Sequence, residues 1–425
     1  MLFLHIRLLM RAAAKSARLP PGHLDPGDRE MHTDRLYGLK RAQRLGPIFK
    51  TIWSGNYTTC VVGHDHARRL LASNEDSFPD ATTDLTGLFP VGALRAMTGE
   101  THQKYRRLLI QALQATPFAA HEGAIRTWIL DRLTALAKAR AGSSTGSEAL
   151  RASLREITTG IMIRLIYGIA PGTPDYLEFV RDYRQLGPDF PVKKIEPLHS
   201  EAFERIKARV QGLIETIRRG PADSLAPSYL KYLVGSGGLD ETALGNFIWL
   251  FEPAHFDLYS LWRWILRFLA SHPEAMARVQ AETGERCRKL CEAIALETLR
   301  LEQSEVLYRT PVRDVVFEGY LIPKGTIMRA CLWEGHKNKD VFPDPFKFDP
   351  DRFLGRKYKI EEYAPFGLDK TRCVGADLVV DVSAMFIEIL LKNFTIALIA
   401  DGPPVFGTYH WQPSPDFSIS IATKE

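Results

Sequence analysis

The chain has 425 residues, 45% apolar and 25% charged, with a net charge of +5 at neutral pH. That balance suits a globular chain with a large core and excludes disordered, fibrous and disulfide-scaffold classes. The slight basic excess carries no nucleic-acid footprint. Five scattered cysteines (Cys60, Cys287, Cys291, Cys331, Cys373) form an odd set that points to a reducing, cytoplasmic setting.

The N-terminal run Met1–Arg11 is apolar but interrupted by Arg7. It is too short to span a bilayer and lacks the small-residue cleavage site of a secretory leader. At most a weak peripheral membrane contact is expected from it. Residues 1–30 read as a lead-in, with Pro20-Pro21 and Gly27 opposing helix. Residues 31–425 read as a single domain without internal repeats.

A helix is expected over Met31–Leu45, then a hairpin over Phe49–Val62 turning at Gly55-Asn56, then a helix over His64–Ser73. Phe78–Met97 is loop-like and contains Leu88 and Phe89. From Gly99 a helix begins in which His102 and Arg106, four apart, share a face as donors suited to carboxylates. Further helices are expected over Ala119–Ala141, Glu148–Tyr167, Pro174–Gln185 and Glu201–Arg219.

Asp240–Ser271 reads as one long helix, apolar nearly all round and so interior, with a kink at Pro253. Glu252, His255 and Asp257 lie at that break, and polar groups on an interior helix need partners or a purpose. Arg286–Leu301 is helical and contains Glu297-x-x-Arg300, a spacing that allows direct pairing. Short strands follow at Val306–Thr310 and Val315–Phe317, with a hairpin-like piece over Gly319–Met328. The Pro/Asp-rich segment Asp340–Phe353 is irregular.

Late in the chain, Tyr363-Ala-Pro-Phe366-Gly-Leu-Asp-Lys-Thr-Arg372-Cys373-Val-Gly375 precedes an apolar helix over Leu378–Leu391. A cysteine between glycines at a helix start is well placed to be a metal-bound thiolate, because backbone N–H groups stabilise the sulfur anion. The residues alone also allow a buried structural cysteine. Strand-like pieces close the chain at Phe394–Ile399 and Phe417–Ala422.

In this order, from about residue 35 onward, these features resemble the cytochrome P450 (haem-thiolate) family. Phe366, Cys373 and Gly375 fit its F-x-x-G-x-R-x-C-x-G loop. Glu297, Arg300 and Arg352 resemble its structural Glu-Arg-Arg triad, and Leu269–Glu274 resembles the end of its central helix. The resemblance implies a mainly α fold with small β-sheets around haem b. Cys373 would then be the axial ligand, an anionic sulfur that favours O–O cleavage at the iron. His102, Arg106, Arg309 and Arg372 fall where propionate donors are expected. Leu88, Phe89, Trp249, Pro253, Phe256, Val306 and Trp411 fall where a substrate pocket is expected.

Two departures stand out. Asp369 and Thr371 replace the Gly and Arg of the cysteine loop, and Phe256-Asp257 replace the acid–alcohol pair of the central helix. Asp257, with His255 or Glu252 as relay, is therefore the candidate proton donor. The expected function is oxidation of a small organic molecule, in the manner of a secondary-metabolite hydroxylase, using O2 and electrons from a separate ferredoxin or flavoprotein. Lys370, Arg372 and Arg356–Lys359 form a candidate docking face for that donor. A peroxide-using or isomerase/dehydratase-type enzyme and a non-catalytic haem protein are the alternatives. The acids Glu252, Asp257, Glu302 and Glu305 also allow a polar or cationic ligand.

Overall fold

The structure is a computed structural model that describes residues 2–25, 30–53, 55–80, 84–139, 144–187, 194–220, 226–302, 306–368, 370, 372–407 and 411–424. Of Glu252 and Val306 only the backbone is described. Asp369, Thr371, Glu305 and His410 lie outside the described residues, and with them both departures of the cysteine loop.

The centre of the molecule is the Phe251–Ser271 helix, walled by the helices Ser147–Tyr167, Gly284–Glu302 and Ala376–Asn393. Its sequence is apolar on every side because it has protein on every side. Trp262 stacks on Phe386 with ring centroids 4.0 Å apart, and its indole N–H donates to Ser383 Oγ at 3.0 Å. Two fully buried rings of this size fix the central helix against the helix that follows Cys373. Across the other side, Phe251 stacks on Tyr183 of the Pro174–Leu186 helix, with centroids 3.8 Å apart.

The long helix expected over Asp240–Ser271 is two helices, Glu241–Trp249 and Phe251–Ser271, meeting at Leu250. Pro253 therefore sits in the first turn of the second helix. Leu250 keeps helical backbone angles and its N–H donates to the Asn246 carbonyl at 2.9 Å, so the path stays helical there. The interruption falls in the turn to which Pro253 has no N–H to donate, as expected of that proline. Met31–Leu45 likewise divides, into Glu30–Thr33 and Tyr37–Leu45.

A four-stranded sheet runs in the order Ile48–Trp53, Asn56–Val62, Ile327–Cys331, Val306–Arg309. The expected first hairpin pairs Trp53 with Asn56. Gly319–Met328 is not one hairpin. Val315–Phe317 pairs with Tyr320–Ile322 round Glu318-Gly319, whereas Ile327–Cys331 runs parallel to Asn56–Val62. A second sheet joins Thr145–Gly146, Ser418–Thr423 and Phe394–Ala400 beside the core. Helices Tyr229–Ser236 and Pro273–Ala281 are additional to those expected. No described helix is long and apolar enough to cross a membrane.

Candidate active site around Cys373 and Asp257

Cys373 lies three residues before Ala376, where the Ala376–Asn393 helix begins, in a loop tied by its own N–H to the Phe366 carbonyl at 2.7 Å. Its side chain has open surface, yet it sits deep in the protein. The same holds for Asp257 on the central helix. Surface exposed at such depth lines an internal void, and Cys373 feels the charge of Asp257.

Burial raises the Cys373 thiol above its usual range. The Gly375 N–H and the charges of Arg106 and Arg372 oppose that rise, and Asp257 adds to it. Burial also pushes the Asp257 carboxyl up to about 6, with Arg95 pulling the other way. A Cβ on Gly375 would make only ordinary contact with Sγ, at 4.0 Å.

This donor set fits a flat, iron-centred, dianionic group. One thiolate-capable sulfur faces the void, a backbone N–H and two guanidinium charges offset its anion, and His102 and Arg106 stand on one face of the Gly99–Ala115 helix. His102 is buried and Arg106 half-buried, its charge coupled to Cys373. Among the described residues no group of three or more His, Cys, Asp or Glu side chains is arranged to hold a metal, and the buried pair Cys287–Cys291 has none beside it.

Other candidates are placed differently. Arg309 donates to Asp80 at 2.7 Å, and the Asp80 carboxylate also receives Arg95 at 3.4 Å. Arg372 lines an outer groove behind the cysteine loop with Tyr358, Phe366, Asp377 and Asp381, 3.9 Å from Asp377. Arg356 is paired with Glu362, so the basic 356–359 segment presents Lys357 and Lys359 as its exposed charges.

His255 does not share the face of Asp257. Two residues apart on a helix, their side chains diverge by about 200°. His255 is buried, stacked on Phe251 at 4.7 Å, with Nδ1 against the Phe251 carbonyl at 3.0 Å. Glu302 is paired with Arg35, whose guanidinium is enclosed by Trp264, Trp333 and Trp411. That removes Glu302 as a pocket acid and places Trp411 in this box. Trp249, Pro253 and Phe256 are half-buried near the break, and Leu88 and Phe89 belong to the core, Phe89 stacking on Phe203 at 5.6 Å.

Glu297 and Arg300 form a fully buried bidentate pair at 2.7 and 2.8 Å. Arg300 also donates to the carbonyls of His336, Pro345 and Lys347, and Arg352 Nε lies 3.5 Å from Glu297. This charge cluster holds the 336–353 segment against the Gly284–Glu302 helix.

Sequence reasoning passed over Arg95, Asp80, Thr242 and Asn246. Asn246 accepts from the Leu94 N–H at 2.5 Å and donates to the Gly92 carbonyl at 3.1 Å, while Thr242 donates to the Pro90 carbonyl at 3.0 Å. The signal was present: two polar residues four apart on an otherwise apolar helix share a face and need partners.

Residues 260–409 match the family model described as Cytochrome P450. The chain is 24% identical to ent-kaurenoic acid oxidase of Oryza sativa subsp. japonica, over 92% of this chain and 85% of that protein. It is 25% identical to abscisic acid 8'-hydroxylase 2 of Oryza sativa subsp. indica, over 86% and 78%. Its fold superimposes on retinoic acid bound cyanobacterial CYP120A1 with a TM-score of 0.75 at 21% identity, covering 96% of this chain and all of that one. With the cysteine loop and the buried Glu297–Arg300 pair in their order, the chain has the cytochrome P450 fold, and its residues 260–409 match the Cytochrome P450 family model.

Proposed function

We propose that the protein is a haem-thiolate monooxygenase that oxidises a small, mainly apolar organic acid, with electrons from a separate ferredoxin or flavoprotein. The observation that carries this reading is a titratable carboxyl, Asp257, open to the same void as the Cys373 sulfur.

Cys373 would hold the haem iron, with His102 and Arg106 beside its propionates. When bound, the haem supplies dioxygen activation under thiolate donation. That chemistry would draw two protons through the protein, so a side chain that can hold and release one beside Cys373 would be needed. An ionised carboxylate only accepts hydrogen bonds, whereas a neutral carboxyl also donates. With its pKa raised to about 6, Asp257 exchanges between the two forms near neutral pH and delivers a proton from Oδ. It thereby stands in for the alcohol that the family uses.

The choice of an acid as substrate rests on the named relatives, which act on ent-kaurenoic and abscisic acids, and on the retinoic acid bound in the structural neighbour. In this chain Arg95 is the cation suited to a carboxylate. It is half exposed, shares Asp80 with Arg309 and feels the charge of Asp257.

A panel of apolar acids and their methyl esters, titrated while the haem spin-state spectrum is followed, tests the reading. Spectral shifts with acids but not esters, followed by oxygenated product with ferredoxin, reductase and NADPH, are expected. Turnover with hydrogen peroxide and none with the electron-transfer system would replace it with the peroxide-using alternative.

A further inference from the structure

The helix Leu2–Ala13 has two apolar faces, and among the described residues only one of them has a partner. Leu8 and Ala12 are buried, Leu8 packing with Ile52 and Tyr57 of the first hairpin. On the opposite side Phe3 is 84% exposed, Met10 62%, Leu9 46% and Ile6 44%. The spacing 3, 6, 10 is one helical face, so these side chains form one continuous strip.

The surroundings are basic. No acidic residue precedes Asp25, while Arg7, Arg11, Lys15 and Arg18 recur along the segment. Arg7, Lys15 and Arg18 are exposed, and Arg11 is paired with Asp314. The segment is fastened to the body beyond the helix as well, through Arg18 N–H to the Gly319 carbonyl at 2.9 Å and Leu321 N–H to the Arg18 carbonyl at 2.8 Å.

We infer that the outer face of this helix docks the protein onto the surface of an anionic phospholipid bilayer. The apolar strip, on a helix about 18 Å long, lies in the plane of the interface, and Arg7, Lys15 and Arg18 meet lipid phosphates and carboxylates. A second copy of this chain fits less well. A two-fold contact on this strip places the same uncompensated cations opposite one another.

Flotation of the haem-loaded protein with phosphatidylcholine vesicles, with and without phosphatidylserine, tests this. The wild type is expected to float with the anionic vesicles and to release as salt rises. Phe3→Asp with Met10→Asp is expected to weaken binding roughly tenfold or more, with the haem spectrum unchanged because both residues are exposed. Arg7→Glu with Lys15→Glu is expected to abolish the preference for phosphatidylserine. Failure of the wild type to float, or equal flotation of the Phe3/Met10 variant, overturns the inference. So does a wild-type dimer that this variant makes monomeric without any vesicle binding.

Discussion

Asp257 on the central helix and Cys373 in the cysteine loop both carry open surface deep in the protein, and the charge of Asp257 raises the cost of ionising the Cys373 thiol. A carboxyl in that position is held partly neutral by burial, not by a neighbouring acid.

The pH dependence of turnover follows. The donating form of Asp257 is the neutral acid, and its pKa is raised from the ordinary carboxyl value to about 6. Turnover is therefore expected to fall as pH rises through that value. Asp257→Asn, which has no acidic proton, is expected to lose roughly a hundredfold or more in kcat along with that limb. Asp257→Thr is expected to keep activity while flattening the profile. Steady-state kinetics across pH, with oxygen uptake compared with product formed, measures both. A wild-type limb that persists in Asp257→Asn assigns it to another group.

The Glu297–Arg300 pair has no solvent to fall back on. Glu297→Ala leaves a buried guanidinium whose charge is unmatched, which costs about 3–5 kcal/mol. Arg300→Lys keeps the charge but loses the planar fork that reaches Glu297 twice and three carbonyls besides. Both variants are expected to incorporate less haem and to unfold at lower denaturant. The ratio of haem to protein absorbance and a urea titration measure the two effects.

Local signals exposed much of this in the sequence. The cysteine loop, the Glu297–Arg300 spacing and the helix from Gly99 are each contained within a few residues. Asp257 was legible because a carboxyl on an all-apolar helix is anomalous anywhere. The placing of the break at Leu250 was not, although Pro253 marked an irregularity in that turn. Nor was the parallel pairing of Thr58 with Ile327, because two strands so far apart in the chain carry no local mark of each other. The same distance hid Arg35 as the partner of Glu302 and Asp80 as the partner of Arg309. A charged residue advertises its need for a partner but not which partner it takes.

Asn246 holds the 90–94 loop by both ends of its amide. Asn246→Ala leaves the Leu94 N–H and the Gly92 carbonyl without that partner, at about 1–3 kcal/mol each where they stay buried. Arg95, next to Leu94 in the chain, then loses the support of the loop that sets it beside Asp80. Weaker substrate-induced spin-state shifts and a raised KM are expected, with kcat changed less than by Asp257→Asn. Asn246→Asp, which keeps the acceptor for Leu94 and loses the donor to Gly92, is expected to fall between.

Gly245 is where the Phe89 ring meets the Glu241–Trp249 helix, and a Cβ added there lands on that ring. The backbone on both sides is fixed, on one by the helix and on the other by the Thr242 and Asn246 bonds to the loop. Phe89 must therefore give way. It stacks on Phe203 of the Pro197–Arg219 helix, so its displacement moves the contact between the loop and that helix. Overpacking of this kind costs about 1–3 kcal/mol. Gly245→Ala is expected to lower thermal stability and change which acids in the panel shift the spin state. Phe89→Leu keeps the Cβ and Cγ that the methyl group meets, so Gly245→Ala combined with Phe89→Leu is expected to be no more stable than Gly245→Ala alone. A double variant that regains the lost stability would show that the methyl group strikes only the outer ring of Phe89 and not its Cβ and Cγ.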